Sequence, residues 1–391
     1  MTAAISAMAL ASLTACNGDG GPAAAKSSSA AALPVAKVTF AVANNAKDVS
    51  PTVPLELTVA DGTLDSVAVT AKDGTTVAGA VAKATDHPGS ELWTPDEHLD
   101  YSTTYTLTAT TTNAAHKAAS ASSTFTTVTP TTLSTPSVGP LGGTTVGVGM
   151  PIRVFFDQKV ADRAAVERHL KVTSSKPTDG AWSWMNDKEV HFRPSTYWPA
   201  DTHVTLDASL YGVDFGKGVW GQKDRTVSFD IGARHVSVAD AATHMMAVYD
   251  GDKMVENYPM SAGSAKNPTR NGAHVVLQSY RKITMDSSTF GLAVDAPGGY
   301  RADVEYAVRI SNNGEFVHAA PWSVGQQGSS NVSHGCINLS TSRAAWFFDF
   351  AQQGDVVEVK NSIGPKLSSV DGDIYDWAIS WDTWKAGSAL K

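Results

Sequence analysis

The sequence predicts a mainly β protein, and three features of its 391 residues support that fold class. Hydrophobic residues make up 42% of the chain and charged residues 17%, so there is enough apolar material for packed cores. From residue 36 onwards, short polar and apolar runs alternate, as in TYTLTAT at residues 104–110, with Gly, Pro and Asp between them. Such runs are typical of half-buried strands. A strand-rich unit of about 100 residues, the size of one β-sandwich, also occurs twice.

The N-terminus reads as an export signal. Residues 3–15 (AAISAMALASLTA) are small and apolar, which suits a signal peptide over residues 1–15 and is too short to span a bilayer as a helix. Leu13-Thr14-Ala15-Cys16 resembles a bacterial lipobox, which predicts cleavage before Cys16 and a lipid on its thiol. No Lys or Arg precedes the apolar run, so we expect the true translation start upstream. The alternative is a merely disordered apolar tail.

Residues 16–35 are rich in Gly, Ser and Ala and predict a flexible tether. We therefore expect an exported chain held at the outer face of the cytoplasmic membrane by its lipid alone, since no later segment is long and apolar enough to span a bilayer. The formal net charge of −8 gives no basic surface for nucleic acid. With Cys16 lipidated, Cys336 would be a lone thiol in an oxidising compartment, which marks it as reactive.

Residues 36–129 and 130–233 are predicted to form two similar domains. WTP at residues 93–95 matches FRP at 192–194, and TLTA at 106–109 matches TLDA at 205–208, both at a spacing of 99 positions. Two such strand-rich copies predict immunoglobulin-like sandwiches, neither of which has a cysteine for an inter-sheet disulfide. We interpret them as spacers, with a ligand-binding module as the alternative. The DFGKG loop at 214–218 reads as a plain turn rather than a cation site.

Residues 234–361 predict a third, different β-rich domain. Asp250-Gly251 and Asn312-Asn313-Gly314 are hairpin turns between strand-like runs. After VSHGCINLS at residues 332–340, Ser340 or Thr341 is expected to cap a short helix running to about Gln352, with a closing strand beyond Gly354. Residues 362–391 form a Trp-rich extension that is expected to pack back on this domain, with sugar stacking as an alternative role for its tryptophans.

The segment around Cys336 suggests nucleophilic catalysis. A cysteine nucleophile needs a base to form thiolate and donors for the oxyanion that follows attack on a carbonyl. His334-Gly335-Cys336 places a glycine beside the thiol, and His318 ends a predicted strand, with fourteen residues between it and Ser333. The alternatives are a structural cysteine with a surface histidine, or a zinc site on His318, His334 and Cys336, although no fourth ligand accompanies these three.

This pattern resembles the signature of L,D-transpeptidases, the YkuD-type catalytic domain. His318, fourteen residues and then SHGCIN at residues 333–338 match every element of that signature. The resemblance extends over the whole chain, because the lipobox, two immunoglobulin-like domains, catalytic domain and Trp-rich tail are similar to the actinobacterial lipoprotein type. It implies a mainly β fold of two such sandwiches and a YkuD-type domain with a short helix after the catalytic cysteine.

The resemblance also implies the roles of the reacting groups. Cys336 would be the nucleophile and His318 its general base, with its ring oriented by the carbonyl of Ala319. Many relatives have a hydroxyl side chain at that last position, so any role for it is absent here. His334, Gly335 and Cys336 would supply backbone N–H donors to the oxyanion.

Further positions are implied to bind substrate. Ser333 belongs to the signature, and Asn338 would brace the catalytic loop. Tyr300 matches a tyrosine that reaches over the site from a lid, here about residues 279–300, with Gly298-Gly299 as its hinge. Two further residues, Met285 and Trp322, are similar to lid and pocket-wall positions.

The implied reaction is acyl transfer on peptidoglycan stem peptides. Cys336 would attack the third residue of a tetrapeptide stem, expel the terminal D-Ala and pass the acyl group to the diamino acid of a second stem, forming a third-to-third cross-link. No metal or organic cofactor is implied, carbapenems are implied as covalent inhibitors, and the anchored enzyme would face the cell wall. Alternatives are an L,D-carboxypeptidase or a protein-to-peptidoglycan attaching enzyme on the same site, or a non-catalytic wall scaffold.

Overall fold

The computed structural model of the chain describes residues 34–290, 293–296, 299–372 and 374–390. The predicted signal peptide, the lipobox with Cys16 and most of the predicted tether lie outside the described residues. The predicted mainly β fold is confirmed, with three successive groups of strands. Within the described ranges, no helix is long and apolar enough to cross a membrane.

The first group of strands is a sandwich of two sheets. Its strands are β1 (Lys37–Phe40), β2 (Ala46–Val49), β3 (Leu55–Ala60), β4 (Gly62–Ala71), β5 (Thr76–Val77), β6 (Gly79–Lys83), β7 (Ser90–Pro95), β8 (Thr104–Asn113) and β9 (Ala118–Thr127). The sheet orders are β1-β3-β7-β6 and β2-β9-β8-β4-β5. Strand β8 alternates strictly between buried and half-buried residues, so Leu107 packs with Trp93 and Phe125 between the sheets.

The second group is also a sandwich, with a small third sheet. Its elements are β10 (Thr132–Ser134), β11 (Ser137–Gly139), β12 (Thr145–Val146), β13 (Ile152–Phe155), α1 (Arg163–Glu167), β14 (Leu170–Ser174), β15 (Gly180–Asn186), β16 (Glu189–Pro194), β17 (Thr202–Ala208), β18 (Asp214–Gly216), β19 (Val219–Gly221) and β20 (Arg225–Ile231). The sheet orders are β11-β13-β16-β15, β12-β20-β17-β14 and β10-β19-β18.

The sequence repeat corresponds to equivalent strand pairs in the two sandwiches. Leu55 on β3 pairs with Trp93 on β7, and Ile152 on β13 pairs with Phe192 on β16. Residues 214–218 form strand β18 and the turn of the β18–β19 hairpin, and Asp214 Oδ1 accepts the Gly216 N–H at 2.7 Å. That bond holds the carboxylate within the turn, as expected for a plain loop.

The third group forms two sheets that enclose their own core. Its elements are β21 (His235–Asp240), β22 (Met245–Asp250), β23 (Lys253–Pro259), β24 (Gly272–Val275), β25 (Gln278–Asp286), β26 (Arg301–Arg309), β27 (Phe316–Ala319), β28 (Ile337–Leu339), α2 (Thr341–Phe350), β29 (Val356–Lys360) and α3 (Trp381–Ala386). Short 3-10 turns occur at Ser287–Phe290, Pro321–Ser323, Ser369–Asp371 and Asp376–Ala378. The sheet orders are β23-β22-β21-β29-β24 and β25-β26-β27-β28.

Helix α2 lies directly after the segment VSHGCINLS at residues 332–340, as predicted. Ser340 is its N-cap residue, and the helix ends at Phe350, two residues before the expected end. Phe347 is buried in the core between the two sheets, whereas Trp346 and Phe350 are half-buried and stack on each other with ring centroids 4.9 Å apart. The helix therefore anchors the segment after β28 through one deeply buried aromatic ring.

The second sandwich and the third domain share a continuous core. Val236, Val275 and Val356 of the third domain belong to the same buried cluster as the second sandwich. Gly149 N donates to the carbonyl of Gly354 at 2.8 Å, and a Cβ at Gly147 would lie 2.2 Å from the Asp355 nitrogen. Only glycine permits this backbone approach, so these two domains are joined without a free linker.

The C-terminal extension contacts both the third domain and the second sandwich. Its first part lies on the third domain, where Leu367 N donates to the Asn271 carbonyl at 2.8 Å and Asp371 pairs with Arg270. Besides this contact, Trp384 is fully buried against the second sandwich and donates its indole N–H to the Ala181 carbonyl at 2.8 Å. Trp377 donates to the Gly149 carbonyl at 2.7 Å, and the Arg193 guanidinium lies over the rings of Trp377, Trp381 and Trp384. The contact with the second sandwich could not be predicted from the composition of the tail, because that surface lies almost two hundred residues earlier in the chain. The buried indole of Trp384 is unsuited to sugar stacking, whereas Trp377 and Trp381 are half-buried.

Candidate active site

The candidate site lies beside two adjacent parallel strands, β27 and β28, of the four-stranded sheet β25-β26-β27-β28. His318 is on β27 and pairs with Asn338 on β28, while Cys336 immediately precedes β28. Both strands are buried along their whole length, so their apolar side chains fix the backbone from which these polar residues project. The register therefore brings His318 and Cys336 to the wall of one pocket, as the sequence spacing implied.

Cys336 is nearly buried and its thiol is hydrogen-bonded in the resting structure. Its Sγ donates to the carbonyl of Gly314 at 3.6 Å, and the side chain is 6% exposed. Burial raises the pKa of the thiol to about 12, opposed by the nearby Phe316 N–H and increased further by the charge of Glu315. The resting cysteine is therefore a neutral thiol that needs a base.

His318 has the tautomer and protonation state of such a base. Its Nδ1 lies 2.9 Å from the Ala319 carbonyl, which can only accept, so Nδ1 carries the proton and Nε2 has the free lone pair. Burial lowers the pKa of the imidazole to about 4, although the same carbonyl favours its protonated form. The ring is therefore neutral near pH 7, and the Ala319 carbonyl alone is sufficient to orient it.

The loop before Cys336 is folded around Ser333. Ser333 Oγ accepts the Gly335 N–H at 3.0 Å and donates to the Cys336 carbonyl at 2.6 Å. The implied oxyanion role of the Gly335 N–H is therefore not compatible with this structure, because that donor already has an acceptor. His334 and Cys336 retain backbone N–H groups that donate to no acceptor among the described residues. Gly335 has φ of +123°, a conformation that other residues rarely adopt.

A pocket of about 430 Å³ opens in front of the thiol. Every side chain that was predicted from the sequence to act at the site lines this pocket, except that of Ala319, which was predicted to act through its backbone carbonyl. The sequence-predicted residues lining it are Met285, Tyr300, His318, Trp322, Ser333, His334, Cys336 and Asn338. Sequence reasoning missed Ala302, Val304, Ser323, Gln326 and Val332, which also line it. These have no motif of their own and could have been found only from the alternation along β26 and the length of the return loop.

The pocket residues differ in how firmly they are held. Asn338 Nδ2 donates to Ser323 Oγ at 3.1 Å, and its backbone exchanges two hydrogen bonds with Ser261, so both its side chain and its backbone are held. Met285 is buried, whereas Trp322 is 61% exposed at the rim, with its ring centroid 6.1 Å from that of His318. The ring of Tyr300 is 5.0 Å from that of His334. Of the predicted lid hinge, Gly298 lies outside the described residues.

The arrangement suits thiol chemistry. Among the described residues, no group of three or more His, Cys, Asp or Glu side chains is arranged to hold a metal ion. His334 faces Tyr300, and His318 Nδ1 already bonds a carbonyl. A buried thiol, a neutral imidazole with a free lone pair and two free backbone donors are the groups that acyl transfer requires.

Comparison with known proteins agrees with this geometry. Residues 46–214 match a bacterial Ig domain family, and residues 234–359 match the L,D-transpeptidase catalytic domain family. The chain is 40% identical over 394 residues to L,D-transpeptidase 2 of Mycobacterium tuberculosis (strain CDC 1551 / Oshkosh), covering all of this chain and 95% of that protein. It is 41% identical to L,D-transpeptidase 5 of Mycobacterium tuberculosis (strain ATCC 25618 / H37Rv), covering 91% of this chain and 78% of that one.

A solved structure of the LD transpeptidase LdtMt1 in complex with imipenem is 37% identical, with a TM-score of 0.51, and covers 57% of this chain and 97% of that one. Fold and site together define an acyltransferase in which Ig-type domains precede a YkuD-type catalytic domain. The chain belongs to the L,D-transpeptidase family and is a peptidoglycan L,D-transpeptidase.

Proposed function

We propose that this chain forms third-to-third cross-links between peptidoglycan stem peptides through a thioester on Cys336. The observation that carries the proposal is the pairing of β27 with β28, which sets the free Nε2 of His318 and the thiol of Cys336 in one pocket. The pocket is large enough for a peptide segment and has apolar walls with a few convergent polar groups, as binding sites generally do.

The first half-reaction makes the thioester. Because both partners are neutral at rest, the thiol proton passes to His318 Nε2 as the sulfur attacks, after the S–H bond turns away from the Gly314 carbonyl. The sulfur bonds to the carbonyl carbon of the third stem residue, and the carbonyl oxygen becomes an oxyanion. Collapse of this intermediate expels the terminal D-Ala, whose amine takes the proton from His318.

The oxyanion is stabilised by backbone donors of the catalytic loop. With the Gly335 N–H bonded to Ser333, the remaining donors are the N–H groups of His334 and Cys336. Two donors fixed on a rigid loop stabilise developing charge without reorganisation. Burial, with smaller contributions from Cys336 and Asp286, raises the pKa of Tyr300 to about 12, so its hydroxyl remains a donor at the rim of the site.

The second half-reaction transfers the acyl group to an amine. The side-chain amine of the acceptor's diamino acid loses a proton to His318 Nε2 and attacks the thioester, and the thiol is regenerated with that proton. Water competes as the acceptor and would make the enzyme a carboxypeptidase, so closure over the pocket determines the outcome. Trp322 and Val332, exposed at the rim, give the entering acceptor an apolar surface.

The same site would react with β-lactams of the carbapenem class. A strained β-lactam carbonyl is an acylating agent for any nucleophile that has an oxyanion site, and a relative with 37% identity has been solved in complex with imipenem. The adduct would be one drug per chain on Cys336.

The N-terminal sequence supports attachment to the outer face of the cytoplasmic membrane. Cys16 would carry the lipid, and the two sandwiches would hold the catalytic domain towards the cell wall. Mass spectrometry of the mature N-terminus tests this, and an unmodified Cys16 would exclude the anchor.

The function is tested with a defined tetrapeptide stem. We expect the full chain to give a cross-linked dimer of stems with loss of one D-Ala per link, and Cys336→Ala to give none. A tripeptide product without dimer would favour the carboxypeptidase, and no product with either protein would favour the scaffold.

A further inference from the structure

A buried pair of titratable side chains lies close to Cys336 and outside the lining of the pocket. His274 on β24 is fully buried, and Glu315, which immediately precedes β27, is 5% exposed. Glu315 stands between Gly314, whose carbonyl accepts the thiol, and Phe316, whose N–H faces the sulfur. A Cβ on Gly335 would lie 3.7 Å from Glu315 Cγ and 3.9 Å from its Oε1. The carboxyl group therefore abuts the catalytic loop.

The hydrogen bonds of this pair define where its protons are. His274 Nε2 lies 3.0 Å from the Arg270 carbonyl, so that nitrogen carries a proton and donates it. Glu315 Oε1 accepts the Arg270 N–H at 2.8 Å. The other two atoms, His274 Nδ1 and Glu315 Oε2, face each other at 3.6 Å and have no other hydrogen-bond partner in the described structure.

Two lone pairs facing each other in a dry interior would repel, and each atom would be left unsatisfied. One proton between Nδ1 and Oε2 removes both costs. It makes either an imidazolium beside a carboxylate or a neutral imidazole beside a carboxylic acid, and the net charge of the pair is zero in both forms.

We propose that His274 and Glu315 share a single proton and are positioning residues for Cys336, keeping the charge of the pair at zero while the thiolate forms. Neither side chain touches the pocket, so neither is a catalytic residue. The inference rests on Cys336 being the nucleophile, and it adds a second requirement for ionisation of the thiol besides the base His318.

The surroundings of the pair support this role. Burial raises the pKa of Glu315, while His274 and the Arg270 backbone and charge oppose that effect and Asp371 adds to it. The Arg270 and Asp371 charges are themselves paired, with Nε 2.7 Å from Oδ1. A carboxylate without the shared proton would be a net negative charge next to the sulfur, and like charge disfavours ionisation of the thiol. His318, His334 and Tyr300 face Cys336 from the pocket side and are unchanged in the test below.

The test measures the rate at which iodoacetamide alkylates Cys336 in the full chain, followed by mass spectrometry of the peptide that contains it. No stem peptide is present, so the result does not depend on the proposed reaction. His274→Gln replaces the imidazole by an amide, which can donate a hydrogen bond to Glu315 but cannot carry the shared proton. At about pH 8 we expect alkylation to be roughly tenfold slower, the change that one pKa unit makes in the thiolate fraction.

Glu315→Gln is the decisive second change. Its amide oxygen can accept the Arg270 N–H and its NH2 can donate to His274 Nδ1, so the hydrogen bonds remain and the charge is removed. We expect this variant to be alkylated at least as fast as the parent, and His274→Gln with Glu315→Gln to return to within about twofold of Glu315→Gln alone. His203→Gln, in an exposed pair with Asp230 at 2.8 Å on the second sandwich, is the matched control and should change nothing.

A purely structural role gives a different pattern. Either substitution would then slow alkylation, and the double variant would be at least as slow as His274→Gln. That pattern, an unchanged rate in His274→Gln, or a Glu315→Gln protein that melts like the parent yet is alkylated tenfold more slowly, would overturn the proposal.

Discussion

Ser333 Oγ donates a 2.6 Å hydrogen bond to the backbone carbonyl of Cys336, three residues further along the chain. The same oxygen accepts the Gly335 N–H at 3.0 Å, so one hydroxyl closes the loop on both sides of the glycine. Gly335 is further held by its own carbonyl, which accepts from Thr269 Oγ1 at 2.7 Å. The direction of the two free N–H groups in the loop therefore depends on the Ser333 side chain.

Ser333→Ala should reduce acyl transfer without unfolding the domain. The substitution removes both hydrogen bonds in a buried site, and the backbone N–H groups of His334 and Cys336 then lose their orientation towards the oxyanion. We expect kcat to fall by the equivalent of about 2 kcal/mol of activation free energy. Ser333→Thr keeps the hydroxyl and should retain most of the activity. Steady-state kinetics on a tetrapeptide stem with the two variants side by side decide this, and equal losses in both would show that the hydroxyl is not responsible.

Cys336→Ala should abolish transfer and hydrolysis together. Removing a 6% exposed sulfur leaves a small void at the edge of the cluster formed with Met285, Val304 and Phe316, so the protein should still melt cooperatively and close to the parent temperature. Residual turnover above a few per cent of the parent would contradict its role as the nucleophile.

Much of the site could be predicted because its signals are local. The order His318, return loop, Ser333 to Asn338 corresponds to two short parallel strands, β27 and β28, that pair side by side. The hairpin at Asn312 to Gly314 was likewise evident from its turn residues. In both cases, the residues that determine the geometry are within about two dozen positions of each other, so chain order carries the information.

The features that could not be predicted depend on distant partners. Glu315 reads as an ordinary strand residue, and only the fold brings His274 against it. The tryptophans of the tail pack on the second sandwich because Arg193 and the Ala181 carbonyl are there to receive them. The Gly335 N–H was expected at the oxyanion, and its capture by Ser333 is a matter of loop dihedrals that residue type does not specify.

His318→Ala should slow acylation by a carbapenem far more than it weakens initial binding. The thiol has a pKa near 12, so without a base only a very small fraction is thiolate near neutral pH. Rapid mixing with mass detection separates the two steps. An acylation rate equal to that of the parent would show that Cys336 ionises without His318.

The parent enzyme should keep its rate of acylation by a carbapenem down to a lower pH than an enzyme whose base has the ordinary imidazole pKa. His318 has a pKa lowered to about 4, so Nε2 keeps its lone pair until the pH falls towards that value. The acid limb of the acylation rate should therefore be near pH 4 rather than near the usual imidazole value of about 6.5. A limb close to the latter value would contradict the buried, neutral base.

Tyr300→Phe should slow carbapenem acylation less than His318→Ala does. The hydroxyl remains protonated below a pKa of about 12 and can donate to charge that develops at the rim, and losing one such bond costs roughly 1–3 kcal/mol. Trp322, exposed at the same rim, offers a matched comparison, because Trp322→Phe removes contact area without removing a donor aimed at the reacting carbonyl. A larger loss in Trp322→Phe than in Tyr300→Phe would assign the rim effect to packing.

The last prediction concerns stability and begins from His191, which joins the second sandwich to the C-terminal extension. Its Nδ1 lies 3.0 Å from Asp376 Oδ2 and its Nε2 2.7 Å from Glu189 Oε1, with His191 and Asp376 fully buried. Burial opposes the charged imidazole, but the two carboxylates outweigh it and raise the pKa to about 9. Both ring nitrogens of His191 donate to carboxylates, so the two contacts, called the charged clasp below, require the protonated ring.

The pH dependence follows from that direction. The folded protein holds this proton more tightly than the unfolded chain, whose histidine has a pKa of about 6.5, so the stabilisation is complete below that value and is lost as the pH rises through about 9. In urea titrations, the parent should lose free energy of unfolding on the order of 3 kcal/mol across this window, whereas His191→Gln should be less stable at pH 6 and nearly flat up to pH 10. The exposed His203–Asp230 pair is the control, since His203→Gln should follow the parent curve. Parallel curves for the parent and His191→Gln would mean that the tail is held by Trp377, Trp384 and Arg193 alone, without the charged clasp.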